Sequence, residues 1–175
     1  MRTVLELTAV SIVLIAMTIY AAPTRLPAAE SAYAQASEAD VAEGMRLYLQ
    51  KGDCQACHGW AADGRKMDSQ MPDGPNLRET KLNRERLVQT IKCGRPGTGM
   101  PAFDKFAYSD GRCYGMKESD LKSPMPDPAA TLQQREIELV VNFLLQKVVG
   151  KGPMNRAKCI EYWGSEVETC RELPQ

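Results

Sequence analysis

The sequence is poor in the residues that usually build a small hydrophobic core. Only 6% of its 175 residues are aromatic, and His58 is the single histidine of the chain. Lysine plus arginine equals aspartate plus glutamate, at 22 each, so no charge excess points to nucleic acid and no acidic block indicates a solvating tail. A small domain with few aromatic residues usually needs another stabiliser. The six cysteines are the candidates.

Strand patterns are also missing. The chain has no alternating apolar segment of any length, no internal repeat and no G-x-G-x-x-G fingerprint. Helical spacing predicts a first helix from Glu38 to near Gly52 with Ser37 as N-cap, and a second from Asn83 to Cys93. A Thr-x-x-Gln capping box at residues 131–134 predicts a last helix that ends at Gly150. The predicted fold class is all-α with long loops.

The N-terminal segment has the features of an export signal. Arg2 precedes an apolar run from Leu7 to Ala22, and overlapping small-x-small sites end at Ala34 and Ala36. Residues 1–36 are therefore predicted to be a signal peptide cleaved near one of those alanines. The alternative is an uncleaved membrane anchor, although the core of about 16 residues is shorter than the ~20 that span a bilayer comfortably. Either interpretation exports the domain, here to the periplasm.

One motif carries specific chemistry. The run Cys54-Gln55-Ala56-Cys57-His58 is a haem attachment sequence, in which two thiols add to the two vinyl groups and the histidine is carried beneath the iron. A redox dithiol would normally follow a strand, and no strand pattern precedes Cys54. A zinc site would need further cysteines, and the other four stand singly along the chain. The motif thus predicts one covalent haem c.

A sole histidine excludes a second histidine ligand from this chain. The sixth iron ligand is then a methionine, a lysine or nothing. Met100 stands out because it lies in a Gly/Pro-rich loop, where glycines allow close approach to a flat ring and proline stiffens the chain. A methionine in a loop also commonly fills a gap in packing. Met67 and Met125 are the next candidates.

The remaining four cysteines predict two disulfides in an exported chain. Three connectivities are possible. Cys93 with Cys113 and Cys159 with Cys170 are favoured because each pair is close in sequence. The first bond would clamp the loop that bears Met100, and the second would close the C-terminal tail. The alternative is free buried thiols.

The ordered set of motifs resembles the class I c-type cytochromes. The matching residues, in chain order, are Gly44, Tyr48, Cys54, Cys57, His58, Pro75, Met100, Phe143 and Leu144. The resemblance covers roughly residues 38–150 and implies a cytochrome c fold of three to four helices around the haem. It also implies that the Pro75 carbonyl accepts from the ligand histidine and that Met100 is the distal ligand. A long loop after Met100 and a tail after Gly150 depart from the minimal family pattern.

Together these features divide the chain into the leader at 1–36, a cytochrome c domain at 37–150 and a C-terminal extension at 151–175. The predicted function is electron transfer rather than enzymatic catalysis. The larger cytochromes that this chain resembles serve periplasmic quinoprotein dehydrogenases, which suggests such a donor and a downstream cytochrome or oxidase as acceptor. The alternative function is a haem enzyme or sensor with an open or displaceable sixth iron site.

Secondary contacts to the haem are also predicted. Trp60 flanks the attachment motif, near the expected haem edge. Arg95, with Arg65 and Lys66, is a candidate for contact with the propionates. No membrane partner is expected unless the leader is retained.

Overall fold

The computed structural model describes residues 36–66 and 68–175. In this part of the chain the regular elements are helical and no strand forms, which confirms the predicted fold class. The α-helices are α1 (Glu38–Arg46), α2 (Gln55–His58), α3 (Arg84–Cys93), α4 (Gln134–Phe143), α5 (Arg156–Trp163) and α6 (Glu168–Arg171). Short 3-10 helices lie at Leu77–Glu79 and Glu118–Asp120.

Helices α1 and α4 cross at the centre of the domain. The crossing needs a glycine, because a Cβ on Gly44 would overlap the carbonyl of Leu139. One turn further on, the rings of Tyr48 and Phe143 lie 5.4 Å apart between centroids, and both side chains are fully buried. Each helix then continues as a π-helical turn, at Leu47–Lys51 after α1 and at Leu144–Val148 after α4.

The predicted caps of the first two main helices are present. The Ser37 hydroxyl accepts from the Asp40 amide at 3.1 Å, and the Asn83 side chain accepts from the Arg86 amide at 3.0 Å. Helix α3 carries Leu87 and Ile91 into the main hydrophobic core. These ends were predictable because a cap depends on residues that are adjacent in sequence.

The start of α4 corrects the sequence prediction. Thr131 is not its N-cap, since the helix begins at Gln134 and the Gln133 amide donates to Glu136 Oε2 at 2.8 Å. The reason is tertiary: the Leu132 amide donates to the Phe103 carbonyl at 2.8 Å, and the Leu132 side chain is buried. That contact holds the residues before Gln133 out of the helix.

The C-terminal extension is folded onto the rest of the domain. Its helices α5 and α6 are joined by a disulfide between Cys159 and Cys170, whose Cα atoms are 5.4 Å apart. The cysteines pack with Ala61 and Met154 in a small separate core, which we call the extension core. Helices in this segment were not predicted, because α5 has only a weak apolar stripe around its buried cysteine.

A second disulfide fixes the long loop after α3. It joins Cys93, the last residue of α3, to Cys113, again with 5.4 Å between Cα atoms. Both cysteines are buried with Ala107 and Tyr108 in a third small cluster. Both pairings are those that the sequence favoured.

None of the helices in the described residues has the length and hydropathy needed to cross a membrane. The leader prediction falls on residues outside the described part, apart from Ala36, the later of the two predicted cleavage sites. The proposed domain boundaries at residues 36 and 150 stay predictions.

Candidate functional site

A cavity of about 780 Å³ lies between the α2 motif, α3, α4 and the loop that carries Met100. Its volume falls within the ~300–1,000 Å³ typical of ligand and cofactor sites. Apolar side chains from the core form much of the wall, including Leu87, Ile91, Phe103, Val140 and Leu144. Cys54, Cys57, His58 and Met100 all line the same space.

His58 is held in one orientation. Its Nδ1 lies 3.0 Å from the Pro75 carbonyl oxygen. A carbonyl only accepts, so Nδ1 carries the proton and Nε2 keeps a free lone pair. Burial lowers the pKa of His58, and the positive charge of Arg95 lowers it further, against the opposing effect of the Pro75 hydrogen bond. The neutral imidazole, which is the form that binds metals, is therefore favoured.

The loop facing His58 leaves no room for a side chain at Gly74. A Cβ there would lie 2.7 Å from His58 Nδ1 and 2.8 Å from the Cys57 carbonyl oxygen. The same loop reaches the opposite wall, since a Cβ on Gly99 would lie 2.5 Å from Cγ of Pro72. The segment around residues 71–76 thus packs against both the histidine and the methionine loop.

Cys54 and Cys57 are the cysteines without a disulfide partner among the described residues. Cys54 is the N-cap residue of the short helix α2, and Cys57 lies within it. A hydrogen bond of 2.9 Å from the Cys54 amide to the Tyr48 carbonyl connects this helix to the preceding π-helical turn. Burial raises the pKa of Cys54 to about 12 and also raises that of Cys57. Both side chains are therefore neutral thiols in the protein without its cofactor.

The Met100 loop is fixed by contacts on its far side. The Arg95 amide donates to the Met100 carbonyl at 3.1 Å, which closes the loop on itself. The Tyr114 hydroxyl donates to the Gly94 carbonyl at 2.9 Å, and the Tyr108 hydroxyl donates to the Cys93 carbonyl at 2.6 Å. Two tyrosines from the long loop therefore hold the chain that leads into Met100.

These features fit haem c. Two free thiols and an oriented imidazole lie in one apolar cavity, and a thioether lines the same cavity. The zinc alternative loses its ligands, because Cys93, Cys113, Cys159 and Cys170 are consumed in disulfides. The described residues contain no group of three or more histidine, cysteine or acidic side chains suited to a metal ion.

A helical domain with this attachment motif and cavity defines the class of c-type haem proteins. Residues 39–118 match the family model described as cytochrome C oxidase, cbb3-type, subunit III. This match supports a class I c-type cytochrome domain and a haem-based electron carrier rather than an enzyme. No curated protein and no solved structure shows a significant match to the chain.

Of the residues predicted to make secondary contacts with the haem, some line the cavity and others do not. Arg95 lines the cavity. Trp60 does not, which corrects its predicted contact with the cofactor: its ring packs 5.5 Å from Tyr162 and 5.6 Å from Trp163, between centroids. Lys66 pairs with Asp73 at 3.0 Å, and Arg65 is largely exposed. Neither of these two side chains lines the cavity.

The methionines also separate. Met125 packs beside the cluster around Cys93 and Cys113, away from the cavity. Met67 lies outside the described residues. Met71 does line the cavity, although 39% of its surface is exposed. No sequence pattern pointed to Met71, because it lies in a loop without periodicity.

Proposed function

We propose that this protein is a periplasmic electron carrier with one haem c bound covalently through Cys54 and Cys57. His58 and Met100 would hold the haem iron. The observation that carries the proposal is that all four side chains line one apolar cavity while the Pro75 carbonyl orients the imidazole. Haem c in such a site supplies a one-electron couple, and sulfur ligation with burial raises its reduction potential.

The residues of the chain do the remaining work. His58 presents Nε2, and Pro75 fixes its tautomer. Leu87, Ile91 and Phe103 exclude water from the cavity, which disfavours the more highly charged ferric state. Arg95 offers a positive charge at the wall, suited to a propionate. The two disulfides support an oxidising compartment such as the periplasm.

The proposed donor is a periplasmic dehydrogenase of the quinoprotein class, and the proposed acceptor is a downstream cytochrome or oxidase. The name of the matching family, a subunit of a cytochrome oxidase, supports an oxidase as the acceptor. Stopped-flow reduction by a quinoprotein dehydrogenase tests the donor, and rapid reduction is the expected result. No reaction would contradict this choice of donor and leave the carrier proposal intact.

Spectroscopy of methionine variants tests the ligand set. Met100→Ala is expected to abolish the weak far-red band of the ferric protein and to lower its reduction potential, because the thioether is lost. Met125→Ala is the matched control and should keep the band, while Met71→Ala tests the other methionine at the cavity. A high-spin ferric spectrum in the unaltered protein would contradict the carrier proposal.

The mass of the denatured protein should include one haem, and should lose it in the Cys54→Ala/Cys57→Ala variant.

A further inference from the structure

A second, smaller cleft lies where the extension meets the cytochrome core. We call it the junction cleft; it has a volume of about 170 Å³, too small for a cofactor of ordinary size. The cations that line it are Arg78, Lys147, Lys151 and Lys158, against a single carboxylate, Glu161. The cleft shares no lining residue with the cavity that contains His58.

Arg78 is the unusual residue in this cleft, because it is a charged side chain with only 3% of its surface exposed. Its Nε donates to the Gly152 carbonyl at 2.6 Å, and one terminal nitrogen, Nη1, donates to the Ala61 carbonyl at 3.1 Å. No carboxylate of the described residues lies within salt-bridge distance of it. Buried charges in proteins are normally paired with an opposite charge, and the Arg78 guanidinium has no such partner among the described residues.

Asp63, the acid with an electrostatic influence on Arg78, does not supply that opposite charge. Asp63 favours the charged form of Arg78 through space, but its carboxylate is engaged with Arg65. The other terminal nitrogen of Arg78, Nη2, makes no hydrogen bond within the described residues and is not sealed from solvent. Arg78 lines the junction cleft, and Nη2 is the donor of its guanidinium that is left for a ligand there.

The lysines around Arg78 differ in their availability. Lys158 Nζ already donates to the carbonyls of Lys151 and Pro153, at 2.8 and 2.9 Å. Lys147 and Lys151 form no ion pair and no side-chain hydrogen bond with the described residues, and they lie on either side of the end of the helical turn Leu144–Val148. The junction cleft therefore offers one desolvated guanidinium and two free ammonium groups.

We propose that the junction cleft binds a small oxyanion of the phosphate class, held by Arg78, Lys147 and Lys151. Arginine suits such an anion because its planar donors match the oxygen geometry, and the lysines add point charges. Arg78 and Lys147 belong to the core and Lys151 to the extension, so the anion would bridge the two. Binding would therefore stabilise the docked extension.

The test is calorimetric titration of the haem-loaded protein with inorganic phosphate, against sodium chloride of equal ionic strength. A saturable signal is expected for phosphate alone. Lys147→Gln/Lys151→Gln should weaken binding by about tenfold or more, because the variant removes two charge-assisted contacts to the anion. The matched control is Lys81→Gln/Lys122→Gln, which removes the same charge at exposed positions outside the cleft.

The two double variants spare Arg78, whose replacement would also disturb the docking of the extension. No saturable phosphate signal, or equal weakening in both double variants, would overturn the proposal.

Vesicles of phosphatidylglycerol identify the source of the anion. Vesicle binding that is lost in the cleft variant together with phosphate binding assigns a lipid headgroup, and phosphate binding alone assigns a free anion. Vesicle binding without phosphate binding would contradict a cleft for small anions.

Discussion

At the scale of single residues, the proposed iron site depends on groups outside its ligands. Pro75 sets the tautomer of His58, and Gly74 is the residue that lets this loop approach the ring. On the other side, Tyr108 and Tyr114 bind the two carbonyls that precede the Met100 loop. None of these contacts involves neighbours in sequence, so the position of the thioether is set by distant parts of the chain.

Removal of the Tyr114 hydroxyl should loosen the Met100 loop. Tyr114→Phe leaves the Gly94 carbonyl without its donor, which costs about 1 kcal/mol for a typical hydrogen bond. In a pH titration, the far-red ferric band is expected to disappear at a lower pH in Tyr114→Phe than in the unaltered protein. Tyr162→Phe is the control, because its hydroxyl donates to the Trp60 carbonyl in the extension core. Equal shifts in both variants would contradict a specific role for Tyr114.

At the scale of elements, the two disulfides stabilise different parts of the molecule. Cys93–Cys113 joins the end of α3 to the long loop across 20 residues, and Cys159–Cys170 joins α5 to α6 across 11. Loss of a bond that closes a loop of this size costs about 3 kcal/mol in the chain-entropy model.

The two bonds should therefore be separable by spectroscopy. Cys93→Ser/Cys113→Ser is expected to weaken methionine ligation, seen as a reduced far-red ferric band. Cys159→Ser/Cys170→Ser should leave that band unchanged and make the extension sensitive to limited proteolysis, which cleaves segments that open locally. Retention of a full band in the first variant would show that Tyr108 and Tyr114 suffice to hold the loop.

An ion pair links the π-helical turn after α1 to the first turn of α4. Lys51 Nζ lies 2.6 Å from Glu136 Oε1, and the hydrogen bond from Lys51 is the main cause that lowers the pKa of Glu136 below its ordinary value of 4.5. A lowered folded-state pKa adds stability above the unfolded-state value, and that stability is lost as pH falls through the folded-state value.

Urea unfolding between about pH 7 and about pH 3 tests this pair. The unaltered protein is expected to lose more stability over that range than Glu136→Gln, whose side chain does not titrate. Glu138→Gln, exposed on the same helix, should behave like the unaltered protein. Identical pH profiles for the unaltered protein and Glu136→Gln would mean that the pair adds no pH-dependent stability.

At the scale of the whole molecule, the extension is joined to the core by both aromatic packing and Arg78. The Tyr162 ring lies 5.5 Å from Trp60 and 5.9 Å from Phe143, between centroids, so it contacts both the extension core and the main core. Arg78 adds hydrogen bonds to the carbonyls of Gly152 in the extension and of Ala61 in the cytochrome domain, where Ala61 packs in the extension core.

Arg78→Lys should release this junction while keeping the charge. A lysine cannot reproduce the two-armed donation to Gly152 and Ala61, so we expect a loss of about 2 kcal/mol in the free energy of unfolding. Urea unfolding followed by fluorescence reports on the junction, because Trp60 and Trp163 both pack there. Arg171→Lys, an exposed change in α6, is the control and should be neutral. Unchanged stability in Arg78→Lys would show that aromatic packing alone docks the extension.

The sequence by itself determined what depends on near neighbours. Haem attachment is encoded in five consecutive residues, from Cys54 to His58. The caps at Ser37 and Asn83 bind the amide of a residue three positions further along the chain. The all-α class follows from helical periodicity, which is also local. The resemblance to the class I cytochromes came from the order of such local motifs, and the match over residues 39–118 confirms it.

Only the tertiary structure decided what depends on distant contacts. It brought Met71 and Met100 to one cavity, moved the start of α4 past Thr131 through the contact of Leu132 with Phe103, and turned Trp60 to the extension. It also placed Arg78 in the junction cleft. Each of these outcomes joins segments far apart in the chain, and composition and periodicity carry no information about which distant segments will meet.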